Sequence, residues 1–314
     1  MTGEHDRRVY DSRIILYRSI KLILVVILAG IFFKTCIIDS IAIRSNQMAP
    51  TLINGDHVLV FRLPYISFFG NTIRPALAKP IVIDYPFEKN RRACLRIAGT
   101  SGDTIAIDNG VLVNSRRPGF KLSGKEKKLE IIPESYLPRD FFSSYAIPKK
   151  GAHLLLDSLS FRDFFFATGI IRQEMVKSKV EMKADLFIDD TISNDFFINE
   201  FSLYKGTIDT IPAKFQFNWI FWDKLNQYLI ATMKEHSIKL KFSLLVDSKK
   251  TTEYYVKKDY AFMIADNWTG GLDSRYIGPI QVSSIVGRTF FVLWSYDKEF
   301  DSRFKVNRFG KIIK

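Results

Sequence analysis

The sequence predicts a mainly β protein, carried behind one N-terminal transmembrane helix and interrupted by an α/β insertion. Three observations carry that prediction. Residues 22–33 form an uncharged apolar run, the one long greasy stretch near the N-terminus. Beyond it the apolar segments become short, rich in Val and Ile, and separated by Gly and Pro, which is the spacing of strands in a β-rich domain. Thr104-Ile105-Ala106-Ile107 and Val111-Leu112-Val113-Asn114 are joined at Asp108-Asn109-Gly110, a strong two-residue hairpin signal.

Composition bounds the reading before any element is placed. A chain of 314 residues, 47% hydrophobic and 25% charged, can bury a core in one or two globular domains and is neither disordered nor fibrous. Its net charge of +13 suits an anionic partner. No nucleic-acid motif is present, so the expected partner is the lipid bilayer and not nucleic acid. The two cysteines, Cys36 and Cys94, have no metal-ligand spacing; they support neither a zinc site nor a disulfide framework, and a single bridge between them stays open. No metal and no cofactor is expected.

The N-terminal tail, residues 1–17, is polar and basic, with Arg7, Arg8 and Arg13. The uncharged run alone falls short of the roughly twenty residues a bilayer requires, but 18–38 reaches that length if Arg18, Lys21 and Lys34 extend their charged ends to the interfaces. A cleaved signal would need small residues at its exit, and Lys34-Thr35-Cys36-Ile37-Ile38-Asp39 offers none in the right places. The segment therefore reads as an uncleaved single-pass anchor. The basic excess before Leu22 places the N-terminus in the cytoplasm and the main body outside it.

After the anchor, residues 41–43 and 57–61 read as strands flanking a turn, and 81–86 reads as another. Residues 115–258 are the least legible. Within them Asn218 can cap a helix over 219–235 that puts Trp222, Leu225, Leu229 and Met233 on one face. Residues 238–244 alternate as an amphipathic strand, and Asp247-Ser248-Lys249-Lys250 turns that strand into 252–256 as a hairpin. The aromatic run 215–222 reads either as a membrane-interface contact or as packing within the insertion.

Three segments in fixed order carry a family resemblance: Ser45-Asn46-Gln47-Met48-Ala49-Pro50-Thr51-Leu52 with Gly55-Asp56 behind it, Leu95-Arg96-Ile97-Ala98-Gly99-Thr100-Ser101-Gly102-Asp103, and the stretch 266–278. Behind a membrane anchor, they resemble the boxes of the bacterial type I signal peptidases, the S26 serine peptidases that remove signal peptides, in a Bacteroidota-like form. The family patterns read Ser-x-Ser-Met-x-Pro-Thr-Leu, Lys-Arg-x-x-Gly-x-x-Gly-Asp and Gly-Asp-Asn-Arg-x-Asn-Ser-x-Asp-Ser-Arg-Tyr-x-Gly. The resemblance covers about 18–110 and 254–314. It implies a signal peptidase I-type β-rich extracytoplasmic domain, in the inner (cytoplasmic) membrane, with signal-peptide-bearing preproteins as partners.

Residue by residue, the resemblance puts Gln47 at the nucleophile, Leu95 at the general base, Ser45 at the oxyanion hole and Gly271 at the serine that orients the base. It makes Asp273 and Arg275 a structural ion pair, and Met48, Pro50, Ile81, Ile83 and Tyr85 peptide contacts. In such enzymes a hydroxyl attacks the scissile carbonyl while a desolvated lysine takes its proton. Gln47 offers no usable nucleophile, Leu95 accepts no proton, and Gly271 orients nothing. A non-cleaving relative that binds extended peptides follows. The alternatives are an active serine endopeptidase with an atypical nucleophile, such as Ser45, and an assembly subunit acting through its insertion. His57, alternating with Val58 and Val60, reads as a solvent-facing strand residue and not as a substitute base.

The expected organisation is a cytoplasmic tail over 1–17, an anchor over 18–38, and a first catalytic-type β segment over 39–114. An insertion follows over 115–253, then a second β segment over 254–300 and a basic tail over 301–314.

Overall fold

The computed structural model describes residues 2–32, 34, 37–62, 77–117, 121–123, 138–296 and 303–313. The chain is mainly β. It runs through helix α1 (Thr2–Phe32) and strands β1 (Ile38–Ala42), β2 (Asp56–Phe61), β3 (Pro80–Asp84), β4 (Arg92–Thr100), β5 (Thr104–Asp108), β6 (Val111–Asn114), β7 (Lys121–Ser123), β8 (Phe142–Ala146) and β9 (His153–Leu155). Next come α2 (Phe161–Glu174), β10 (Val180–Ile188), β11 (Thr191–Ile192), α3 (Ala213–Gln216), α4 (Trp219–Thr232), β12 (Ile238–Val246), β13 (Lys249–Thr251), β14 (Glu253–Tyr255) and β15 (Tyr260–Ile264). Helix α5 (Ser274–Ile277), β16 (Ile280–Gln281) and β17 (Ile285–Ser295) complete the order. Two compact units result, one from Met1–Ala42, Gly55–Ile73 and Val286–Lys314, the other from Ile43–Asn54 and Arg74–Ile285.

In the first unit, Ile15–Phe32 of α1 is long and apolar enough to cross a membrane, with mean hydropathy 2.2, and none of it is buried against the protein. Helix ends at Phe32 and Ile38 already opens β1, because the β-branched run from Ile37 pairs with β2 from Ile38↔Phe61 to Ala42↔His57. Strand β17 joins the other edge of β2, from Arg288↔Phe61 to Ser295↔Asp56. Along β2, Asp56, Val58 and Val60 point inward. The inward Asp56 is met by the Arg308 guanidinium, whose Nε donates to Oδ1 at 2.7 Å, so a buried charge is paired. Gly55 precedes it at φ +95, and a Cβ there would stand 1.9 Å from the Tyr296 carbonyl oxygen. Only glycine suits both the turn and that approach. His57 is half-buried and stacks on Trp294 at 4.8 Å. The segment 303–313 runs along β17, with Lys305 N–H donating to Ser295 O and Ile313 N–H to Phe290 O, both at 2.8 Å. It is thus an ordered strap, with Phe304, Val306, Phe309 and Ile312 exposed. Cys36 and Lys314 lie outside the described residues.

In the second unit, β3, β4, β15 and β16 pair antiparallel in that order. The predicted hairpin is β5 and β6, turning through Asn109 (φ 47) and Gly110 (φ 73), and it is flanked by β7 and β8. Ser160 caps α2, and Asn218 caps α4 by accepting from Phe221 N–H at 3.2 Å. These helices bury Phe164, Phe165, Phe166, Trp219, Phe221 and Trp222 in an aromatic core. Phe242 of β12 enters that core, its ring 5.0 Å from that of Trp222. Within the aromatic run 215–222, Trp219, Phe221 and Trp222 are thus packing side chains, while Phe215, Phe217 and Ile220 are half-buried.

The hairpin after β12 differs from the sequence expectation. Asp247 and Ser248 turn β12 into β13, which ends at Thr251, and β14 pairs instead with β9. Tyr254 explains the switch. It is buried, and its hydroxyl donates to Glu174 of α2 at 2.7 Å, which anchors β14 where it pairs with β9.

Candidate functional site

The site lies within the second unit, where the first and third boxes are hydrogen-bonded together and the second supplies their common ion pair. The first box forms a tight turn: Leu52 N–H donates to Met48 O at 2.9 Å, Ala49 N–H to Asn46 O at 3.1 Å, and Asn54 N–H to the Asn46 side chain at 3.0 Å. Met48 and Leu52 are buried beneath it, whereas Pro50 is exposed and Ser45 half-buried.

Gln47 is 7% exposed, and its side-chain amide reaches the Leu272 carbonyl at 3.5 Å. Its own carbonyl accepts from Asn267 N–H at 2.9 Å. The Asn267 amide donates to Asn46 O at 3.1 Å, and its oxygen accepts from Gly270 N–H. Asn267 thereby ties the third box to the first.

Strand β4 holds the second box. Successive side chains alternate between faces, so Leu95 shares one with Ala93 and Ile97, and its cross-strand neighbours there are Ile81, opposite it, and Ile83, opposite Ala93. Leu95 is 0% exposed, and Ile81 and Ile83 are likewise enclosed. This face carries no ionisable group at any of those five positions. Arg96, on the opposite face, donates to Asp266 through Nε at 2.5 Å and Nη2 at 2.9 Å, and through Nη1 to Ala78 O at 2.7 Å. Thr51 adds its hydroxyl to the same Asp266 carboxylate. A charge-assisted knot thus joins all three boxes.

Asp273 and Arg275 are fully buried, with Arg275 Nη2 on Asp273 Oδ2 at 2.7 Å. Asp273 also accepts from Ala265 N–H at 2.9 Å and from Arg275 N–H at 3.0 Å, fixing the start of α5. The Arg275 carbonyl accepts from the Trp219 indole at 3.0 Å, so the insertion is fastened directly to the third box. Sequence reasoning missed that bond, because nothing local to Trp219 names a partner 56 residues away. Tyr85 is buried, and burial pushes its phenol up to about 12, with Arg91 over the ring at 4.7 Å opposing the shift. Ala265 and Gly271 also meet, a contact that their residue types do not advertise. Among the described residues, no group of three or more His, Cys, Asp or Glu side chains is placed to hold a metal ion.

Comparison with known proteins agrees with this arrangement. The pattern of the family described as "Signal peptidase, peptidase S26" matches residues 16–147 and 208–294, more than half of the chain. The chain belongs to the signal peptidase family. It is also 22% identical, over 98% of its own length and 86% of the other's, to the protein named Signal peptidase I of Buchnera aphidicola subsp. Acyrthosiphon pisum (strain APS). The family match reaches further than the three boxes, taking in β5 to β8 and resuming at 208 to include α4 and β12. The unmatched stretch between them holds β9, α2, β10 and β11.

Proposed function

We propose that this is a non-cleaving, membrane-anchored member of the signal peptidase family. The observation that carries the proposal is the enclosed aliphatic patch of Leu95, Ala93, Ile97, Ile81 and Ile83. A general base must reach the proton it takes, and five aliphatic side chains offer no acceptor there. The framework beside it, Arg96 with Asp266 and Thr51, is intact, so a scaffold without a base at that position is the economical description. The amide at Gln47 supplies no nucleophile.

The experiment is a cleavage assay on the purified full-length chain in detergent with a signal-peptide substrate. No turnover is expected from the wild type, and none from Gln47→Ser, since losing one member of such a catalytic set already costs about a millionfold in a well-characterised serine protease. Wild-type turnover that vanishes in Ser45→Ala would overturn the proposal in favour of an atypical nucleophile.

The same proposal places residues 1–17 in the cytoplasm and the body on the far side of the membrane, on the charge asymmetry about α1. Reporter fusions after residue 60 active only in the cytoplasm would reverse that placement. Binding of extended peptides is its second element, main-chain pairing being the means. Of the five assigned contacts only Pro50 is exposed, with Met48, Ile81, Ile83 and Tyr85 buried, so side-chain selectivity is expected to be weak. A labelled signal-peptide segment that binds no tighter than a scrambled one would leave the assembly role of the insertion as the better reading.

A further inference from the structure

The loop after β15 is built around a vacancy that one residue type alone can provide. Gly271 N–H donates to Asn267 O at 2.9 Å, closing a turn, and Asn267 is itself fastened to Gln47 and Asn46. A Cβ on Gly271 would stand 2.3 Å from the Ala265 Cβ and 2.5 Å from Asn267 O. Neither neighbour is the movable tip of a long side chain. One is a methyl on buried backbone whose N–H donates to Asp273, and the other is the carbonyl that closes the turn. In a close-packed interior such overlap is relieved only by moving main chain. The family pattern has Gly before Asp-Asn and Ser four residues after that Asn. This chain has Ala265 and Gly271 at those places, so the bulk has changed sides.

We propose that Ala265 and Gly271 are a coupled pair that closes this loop: the Ala265 methyl, together with the Asn267 carbonyl, denies position 271 a side chain, which makes Ala265 a positioning residue, and the resulting turn clamps Gln47 in place. A serine at 271 meets the Ala265 methyl first, and with that methyl gone it still needs the Asn267 carbonyl to give way. The former catalytic centre is therefore separated from a working one by this packing exchange as well as by its missing groups. The inference concerns the closed loop and not turnover, so it fails or stands independently of the cleavage assay.

The test follows Gln47→Cys in the full-length chain in detergent, read by its labelling rate with a polar maleimide above the parent's own cysteines, together with the melting temperature. In the otherwise unchanged chain the new thiol labels slowly. With Gly271→Ser it labels at least tenfold faster and melting falls by about 5 °C, the scale of an overpacked core. With Ala265→Gly added, the nearer of the two clashes is gone, so labelling slows and part of the melting loss returns although the Asn267 carbonyl still opposes the side chain, a non-additivity expected only of touching residues. Where Gly271→Ser does not fold, Gly271→Ala, which adds the Cβ alone, is read in its place. Fast labelling in the unchanged chain, equal labelling across the variants, or melting losses that simply add would overturn the proposal.

Discussion

Replacing Asp266 with alanine is the most demanding test of how the three boxes hold together. Arg96 and Asp266 have side chains only 4% and 3% exposed, so the change strands a guanidinium inside the protein. Breaking a buried pair by removing one partner costs about 3–5 kcal/mol. Ala78 O and Thr51 still receive Arg96 hydrogen bonds, and neither carries the countercharge. At roughly 2–4 °C per kcal/mol for a chain of this size, Asp266→Ala should melt about 6–20 °C lower. The assay is thermal unfolding of the full-length protein in one detergent at one pH. Adding Arg96→Leu removes the stranded charge, and the double variant should recover much of the loss, because replacing both members of a buried pair with apolar groups is often nearly neutral. A fall of less than about 3 °C, or a double variant as unstable as the single one, would refute the reasoning.

Three smaller predictions follow from local geometry. Asn218→Ala removes the α4 cap and should cost about 1 kcal/mol, with Asn218→Gly costing only a few tenths, measured by the same melting assay. Burial pushes the Cys94 thiol up to about 12, so at pH 8 it should react with thiol reagents only after denaturation, and native labelling would contradict its placement. The exposed His236 imidazole is raised above 6.5 by its hydrogen bond to Asp189 and then by that charge, while Asp189 is lowered below 3.8 by the same bond. The raised His contributes fully below about pH 6.5 and loses its contribution as pH climbs through its folded value, whereas the lowered Asp contributes above about 3.8 and loses it as pH falls through its own. In an NMR titration Asp189→Asn should move the His236 midpoint back toward 6.5, and an unmoved midpoint would refute the pairing.

What the sequence made legible is what repeats with a local period. The apolar run of α1, the Asn109-Gly110 hairpin, the Asn218 cap and the alternation of β12 each declare themselves within a few residues, and each is present. The exchange at Thr252 was not legible, because residues 249–255 contain no Gly or Pro to mark a break and β14 is held beside β9 through Glu174, some eighty residues away. At the site, residue types supplied the expectation of which groups of the family pattern are replaced. They did not tell that Ile81 and Ile83 would be enclosed, since a run apolar on both faces looks the same in an open groove and in a core. Nor does any spacing announce that Ala265 stands where a side chain at 271 would have to go.

The strap over residues 303–313 has a practical consequence. It spends its Arg308 inward on Asp56 and shows hydrocarbon outward at Phe304, Val306, Phe309 and Ile312, interspersed with Arg303, Lys305 and Lys311. Exposed hydrocarbon is therefore not confined to α1 but recurs far along the sequence, on a segment held by main-chain pairing. Trimming away the first 37 residues would not yield a protein indifferent to interfaces. The trimmed body would still present these apolar and basic side chains at its surface.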